Sequence, residues 1–332
     1  MDTVRVGMIG VGSNGGGFLD AYAKHPHTHV VAIADPDGRR RAEMAARYGV
    51  ERSYDSADDI LQLDVDLVSI HAPDRLHTEL VLAALDVGKH VFVEKPLGVS
   101  IEQIAAVVRR ADETGKLVAV GQVLRTWPHF RRVKALVEGG RLGTLFYVEG
   151  NYLTDQLRVI SGIVEKAGRS YSPSILTLGV HVMDTLRWLA GDVVEVRAYR
   201  NEGMALPDSH LDECITAIYR FESGALGHLT TCWGDAAPLD PHYGISVHGS
   251  LGTVRGDRVF LAGAKGWTLL SDLVADPFPE GGVAAEVDAV VEYLRAGKPV
   301  PCDARGGGRS AIACLAALEA ARLGTAVEIA RP

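Results

Sequence analysis

Three stretches of the sequence combine residue types that can do chemistry. Gly10-Val11-Gly12-Ser13-Asn14-Gly15 is a G-x-G-x-x-G pattern. Asp35 follows about 20 residues beyond its last glycine. Glu94-Lys95-Pro96 sets a carboxyl beside an ammonium, and Thr177, His181 and Asp184 recur at helical spacing. Glycines at Gly10, Gly12 and Gly15 allow a tight turn and close approach of backbone to a pyrophosphate. Amides of the following residues, Ser13 and Asn14 among them, would then meet the phosphate oxygens at a helix start. Asp35 can accept both hydroxyl protons of a ribose and would repel a 2′-phosphate, which reads as NAD. Arg39, Arg40 and Arg41 follow it closely and are expected to form a solvated helix face. One of them turned toward a 2′-phosphate would give NADP use instead.

These groups need a scaffold, and the hydrophobic pattern describes one. Short, nearly all-apolar runs predict strands at 4–9, 30–34, 67–70, 90–93 and 117–120. Amphipathic stretches between them predict helices at 17–24, 38–48, 78–85 and 101–114, with Gly49, Gly88 and Gly115 as stops. Alternating strand and helix implies a doubly wound parallel sheet of the Rossmann kind. In such a sheet His71-Ala72-Pro73-Asp74-Arg75-Leu76-His77 and Glu94-Lys95-Pro96 both fall at carboxyl ends of strands, where ligands bind. Beyond Gly121 the texture changes. A helix is expected at 127–138, a strand at 145–152 and a helix at 175–189, then strands at 193–201, 213–221, 225–233, 243–248 and 252–255. Two helices at 283–296 and 308–323 follow, then a short strand at 326–329. The fold class is therefore α/β. Residues 1–121 form the dinucleotide-binding domain, and residues 122–332 an α+β domain with an open mixed or antiparallel sheet.

The 332 residues suit two domains, and a net charge of −8 argues against a nucleic-acid or membrane-surface partner. The four cysteines form no C-x-x-C pair, so they read as reduced thiols in a cytoplasmic protein, with no metal site expected. No signal peptide is read at the start, and no apolar run is long enough to span a membrane.

With these motifs in order, the chain resembles the Gfo/Idh/MocA oxidoreductase family. The resemblance rests on Gly10–Gly15, on Ala72-Pro73 with His77, and on Glu94-Lys95-Pro96. It continues through Gly140-Arg141-Leu142-Gly143, Gly179–Asp184 and Val247-His248-Gly249-Ser250-Leu251-Gly252. It implies a nicotinamide cofactor and a sugar, polyol or related substrate. It also implies that Lys95 contacts nicotinamide ribose and substrate, and that His181 exchanges the hydroxyl proton. The chemistry fits, because oxidising CH–OH needs a base of suitable pKa, and a nearby ammonium stabilises developing alkoxide. Many members carry Asp where this chain has Thr177. A threonine can hydrogen-bond His181 or substrate but cannot hold an imidazolium by charge.

By the same resemblance Ala72, Pro73, His77, Glu94 and Gln122 belong with the cofactor. Gln122, Arg125, Tyr152, Arg158 and Asp184 then join Lys95 and His181 as expected substrate contacts. Asp184 has a structural role as its other reading. Trp127, Gln156, Arg169 and Tyr171 border the same segments. A homodimer or homotetramer is expected. The activity implied is NAD(P)-dependent oxidation or reduction at a secondary hydroxyl or keto group of a sugar or cyclitol. The alternative is a glycoside-cleaving or epimerising enzyme that retains its NAD.

Overall fold

The computed structural model describes residues 2–157, 172–205, 212–235, 243–275 and 281–329. These fall into two compact units, one of Met1–Trp127 and Glu280–Gly308, the other of Pro128–Pro279 and Arg309–Arg331. The division falls just beyond the expected boundary at 121. More importantly, the first unit takes back a late segment that the sequence reading assigned to the second.

The first unit runs β1 (Val4–Ile9), α1 (Ser13–Lys24), β2 (Thr28–Ala34), α2 (Gly38–Tyr48), β3 (Arg52–Tyr54), α3 (Ala57–Leu61), β4 (Leu67–Ile70), α4 (His77–Asp86), β5 (His90–Glu94), α5 (Ile101–Thr114) and β6 (Val118–Gly121). Its sheet has the order β3-β2-β1-β4-β5-β6, and every pairing is parallel. All four residues of β4 are buried, as they are in β6, which is why these strands read as unbroken apolar runs. The chain order reverses between β1 and β4, which opens a crevice at their carboxyl ends. Helices α2 and α5 stop at Gly49 and Gly115, both left-handed, as the glycine spacing predicts. β3 and α3 were not foreseen. β3 is short and mostly exposed, so it carries almost no apolar signal.

The second unit contains α6 (Pro128–Glu138), β7 (Leu145–Leu153), α7 (Val180–Ala190), β8 (Val193–Glu202), β9 (Asp212–Phe221), β10 (Leu226–Cys232), β11 (Tyr243–Gly249), β12 (Gly252–Arg255), β13 (Arg258–Leu261), β14 (Thr268–Leu269) and α8 (Leu270–Leu273). The helix α9 (Val283–Ala296) belongs to the first unit, where Val287, Val290 and Val291 join Phe18, Leu19 and Tyr22 of α1 in one core. Burying each such side chain contributes roughly 1.5–3 kcal/mol. α10 (Ala304–Leu323) and β15 (Val327–Glu328) complete the chain.

The second sheet has the order β14-β13-β12-β11-β7-β10-β9-β8-β15, mixed because β7 and β10 pair in parallel. Its strands alternate. Ile215, Ala217, Tyr219 and Phe221 of β9 are buried, whereas Thr216 and Ile218 point outward. Helix α7 lies against the buried face. A Cβ on Gly150 would strike Val182, and one on Gly179 would sit 2.6 Å from Thr231.

Candidate active site

In the first unit the carboxyl ends of β1, β2, β5 and β6 gather the expected groups. Gly10 has φ +86°, and a Cβ there would lie 2.5 Å from the carbonyl oxygen of His71. A Cβ on Gly15 would strike the carbonyl of Gly10. At Gly12 the space beside the backbone is open, with nothing within 4 Å of a built Cβ. Gly12 is also the N-cap of α1, which has no side-chain cap and no acidic residue in its first turn. The amides of that turn, with Ser13 and Asn14 exposed around them, are therefore available to an anion.

Asp35 stands at the end of β2. Its Oδ2 accepts the Val11 amide at 2.9 Å and its Oδ1 the Asp37 amide at 2.9 Å. Each oxygen keeps a further lone pair for a hydroxyl. The arginines depart from expectation. Arg40 Nε donates to the Val11 carbonyl at 2.9 Å, and Arg41 donates to the Asp35 carbonyl. Only Arg39 is left on an exposed face. The glycine turn leaves the Val11 carbonyl in need of a donor, and Arg40 of α2 supplies one.

His77 is buried, with Nδ1 2.7 Å from the Pro96 carbonyl and Nε2 2.8 Å from the Ala72 carbonyl. Burial pulls its imidazole below the ordinary pKa. Both ring nitrogens face backbone, so His77 clips the Ala72-Pro73 turn to the Glu94-Lys95-Pro96 segment. That arrangement shapes a cofactor site without offering a nitrogen to it. Glu94 Oε2 accepts the Lys95 amide at 3.3 Å, and burial raises the Glu94 carboxyl above the usual range. Gln122, at the end of β6, is only 2% exposed. Among the described residues neither its Oε1 nor its Nε2 finds a hydrogen-bond partner. A buried amide with both ends unmet costs about 1–3 kcal/mol, which a ligand amide would recover. Arg125 is tied to the Pro301 carbonyl at 2.7 Å.

In the second unit His181 is the second residue of α7. The turn before it, Ile175–Gly179, is a π-helix, a wider turn that periodicity does not reveal. Within it Thr177 donates its hydroxyl to the Ser172 carbonyl at 3.0 Å. The start of this segment is anchored by Asp212, which accepts the Ser174 amide at 3.0 Å and the Ser174 hydroxyl. The Tyr152 ring lies 6.3 Å from that of His181 and edge-on to Tyr243 at 5.5 Å. Burial raises the Tyr152 phenol. Asp184 faces away toward the last helix. It is 1% exposed and accepts the Ser310 hydroxyl at 2.7 Å, and Arg187 donates to the same Ser310 oxygen at 2.7 Å. Asp184, expected among the substrate contacts, is thus engaged in a buried bond to the last helix. Gln156 is exposed. Arg158, Arg169 and Tyr171 lie outside the described residues.

Comparison with known proteins settles the lineage. A sequence profile described as an oxidoreductase family with an NAD-binding Rossmann fold matches residues 4–122. That of the GFO/IDH/MocA C-terminal domain matches residues 130–255. The chain belongs to the Gfo/Idh/MocA oxidoreductase family. Its first unit is the NAD-binding Rossmann domain of that family, and the open face of Gly12 and the unmet amide of Gln122 fit such a cofactor.

Among Gfo/Idh/MocA relatives, inositol 2-dehydrogenase 3 of Saccharopolyspora erythraea is 32% identical over 226 residues, covering 67% of this chain and 64% of that protein. The scyllo-inositol 2-dehydrogenase (NAD(+)) of Bacillus subtilis is 28% identical over 298 residues, covering 84% and 82%. A levoglucosan dehydrogenase in complex with NADH has the same fold, with a TM-score of 0.87 over 99% of this chain and 100% of its own, at 23% identity. The WlbA dehydrogenase of Bordetella pertussis, in complex with NADH and UDP-GlcNAcA, gives a TM-score of 0.83 over 99% of both chains at 25% identity.

Proposed function

We propose that the chain is an NAD-dependent dehydrogenase or reductase acting on a secondary hydroxyl or keto group of a sugar, a cyclitol or a derivative of one. The observation that carries this reading is the open, uncapped start of α1 beside Asp35, which suits a dinucleotide with a free ribose 2′-hydroxyl. Relatives named as inositol dehydrogenases support the substrate class. Arg40, beside the same turn, supports weaker use of NADP.

When bound, NAD supplies the hydride acceptor. The amides of Ser13 and Asn14 would hold its phosphates, Asp35 its adenine-side ribose, and Gln122 its carboxamide. Lys95 holds the substrate oxygen and stabilises negative charge as the proton leaves. His181 takes that proton through its imidazole. Thr177, its hydroxyl directed to Ser172, contributes no charge to an imidazolium. Tyr152 borders His181 and contacts the substrate ring.

The chain works as a homodimer or homotetramer in the cytoplasm. Tyr199, Ile218 and Leu226 are 66%, 59% and 50% exposed on the outward face of the second sheet, and apolar groups left on a sheet face support association. Among the described residues no helix is long and apolar enough to cross a membrane. The test of activity is NADH formation from NAD across a panel of inositols, sugars and sugar acids. Light scattering tests the assembly, and a monomer at micromolar concentration contradicts it.

A further inference from the structure

Behind the Glu94-Lys95 strand end, the first unit buries a row of polar groups that the proposed chemistry does not use. Ser69 of β4 is fully buried, and its hydroxyl donates to the Tyr22 hydroxyl at 3.3 Å. The same Ser69 oxygen lies 2.8 Å from Nε2 of His71. The His71 ring is held by Phe18 at 4.4 Å and Phe92 at 5.7 Å, and its side chain is wholly buried. Its other nitrogen, Nδ1, makes no hydrogen bond among the described residues. It lies 4.0 Å from Oε1 of Glu94. The other Glu94 oxygen, Oε2, already accepts the Lys95 amide.

One arrangement of protons pairs all three groups: with the ring hydrogen on Nε2, His71 donates to the Ser69 oxygen and Ser69 donates to the Tyr22 oxygen. Nδ1 then presents a lone pair to Glu94. A carboxylate there would set lone pair against lone pair, whereas a carboxylic acid donates into it. The 4.0 Å separation is longer than a hydrogen bond, so this bond requires the Glu94 carboxyl to turn toward Nδ1.

We propose that His71 is a positioning residue of this enzyme. Its Nδ1 accepts the O–H of a protonated Glu94, which keeps that carboxyl neutral beside Lys95 and leaves the ammonium's charge for the substrate oxygen. The role given to Lys95 rests on the dehydrogenase reading; the His71–Glu94 bond does not. The surroundings agree. Burial raises the Glu94 carboxyl, Asp74 adds to this, and Lys95 opposes it. Burial also raises the carboxyl of Glu286 on α9 well above the usual range, and Glu94 adds to this. His71, pulled to about 3 chiefly by burial with His77 adding to this, stays an uncharged acceptor.

The test uses the full chain with labelled histidine and glutamate. Nitrogen NMR is expected to show His71 neutral with the hydrogen on Nε2 between about pH 5 and 8, and carbon NMR to show Glu94 titrating above ordinary carboxyls. His71→Phe keeps the aromatic packing but removes the acceptor. It is expected to move the Glu94 titration down, and with it the alkaline fall of kcat/KM, by about one pH unit. His71→Asn, whose carbonyl can stand where Nδ1 stood, is expected to restore both. Should His71→Phe fail to fold, Ser69→Ala gives the same reading, because loss of the Nε2 partner lets the hydrogen move to Nδ1. A ring hydrogen on Nδ1 in the native chain, or an unmoved Glu94 titration in His71→Phe, overturns the proposal. Absence of turnover with every polyol counts against the dehydrogenase reading alone, since the NMR results do not depend on it.

Discussion

Oδ2 of Asp35 accepts the amide of Val11, which ties the acidic end of β2 to the middle of the glycine turn. In the proposed reading this carboxylate meets the adenine-side ribose of a dinucleotide whose pyrophosphate sits on α1. A 2′-phosphate in that place would meet a fixed negative charge. Asp35→Ser removes the charge and leaves Arg40 near the turn. A hydrogen bond to a charged group is worth about 1.5–3 kcal/mol. The preference for NAD over NADP, measured as a ratio of kcat/KM, is therefore expected to fall about 10- to 100-fold.

His181→Ala and Lys95→Ala are each expected to lower kcat at least ~100-fold, the low end for losing acid–base assistance. The two should differ in cofactor binding. His181 belongs to the second unit, so NADH affinity by fluorescence titration should survive its removal. In the proposed reading Lys95 contacts the nicotinamide ribose, so its loss should weaken NADH as well.

Ser310 holds together two charged groups of α7, accepting from Arg187 and donating to Asp184. Ser310→Ala removes both bonds in a buried place. The cost is about 2 kcal/mol, and for a unit of this size Tm should fall by roughly 5 °C in a thermal melt.

Glu286 gives a pH signature. Burial raises its carboxyl well above the usual range, with Glu94 adding to this. Below the unfolded carboxyl value, both folded and unfolded chains hold the proton, and the group is neutral in its effect. As pH rises above that value the unfolded chain loses the proton first, so the native state loses stability with rising pH. Glu286→Gln removes this loss. Its Tm should exceed that of the native chain at pH about 7–8, and the difference should vanish toward pH about 4.

Much of this was legible in the sequence because its signals are local. The apolar runs of β1, β4 and β5, the glycine stops of α2 and α5, and the spacing from Gly15 to Asp35 follow from residue types near one another in the chain. What escaped depends on contacts far apart in sequence. Arg40 bonds to Val11 only because α2 starts beside the glycine turn. The return of α9 to the first unit is a matter of which core Val287, Val290 and Val291 fill, and periodicity is silent on that. The π-helix before His181 has the same apolar content as an α-helix. Asp184 sits at a spacing that suits a partner for His181, yet its carboxylate meets Ser310 of α10. His77, expected with the cofactor, has its ring nitrogens against the Pro96 and Ala72 carbonyls, contacts that the motif alone does not reveal. His71 stands directly after β4 in sequence, and only its packing against Phe18 and Phe92 shows its ring to be buried.

The most direct test of the account is stoichiometry. Purified chain is mixed with excess NAD and each of a panel of cyclitols and sugars, and NADH and the carbonyl product are measured together. The account predicts that at least one polyol yields one NADH per ketone formed, and that His181→Ala abolishes both in step. Product without net NADH, or tight NADH binding with no turnover of any polyol, would contradict it.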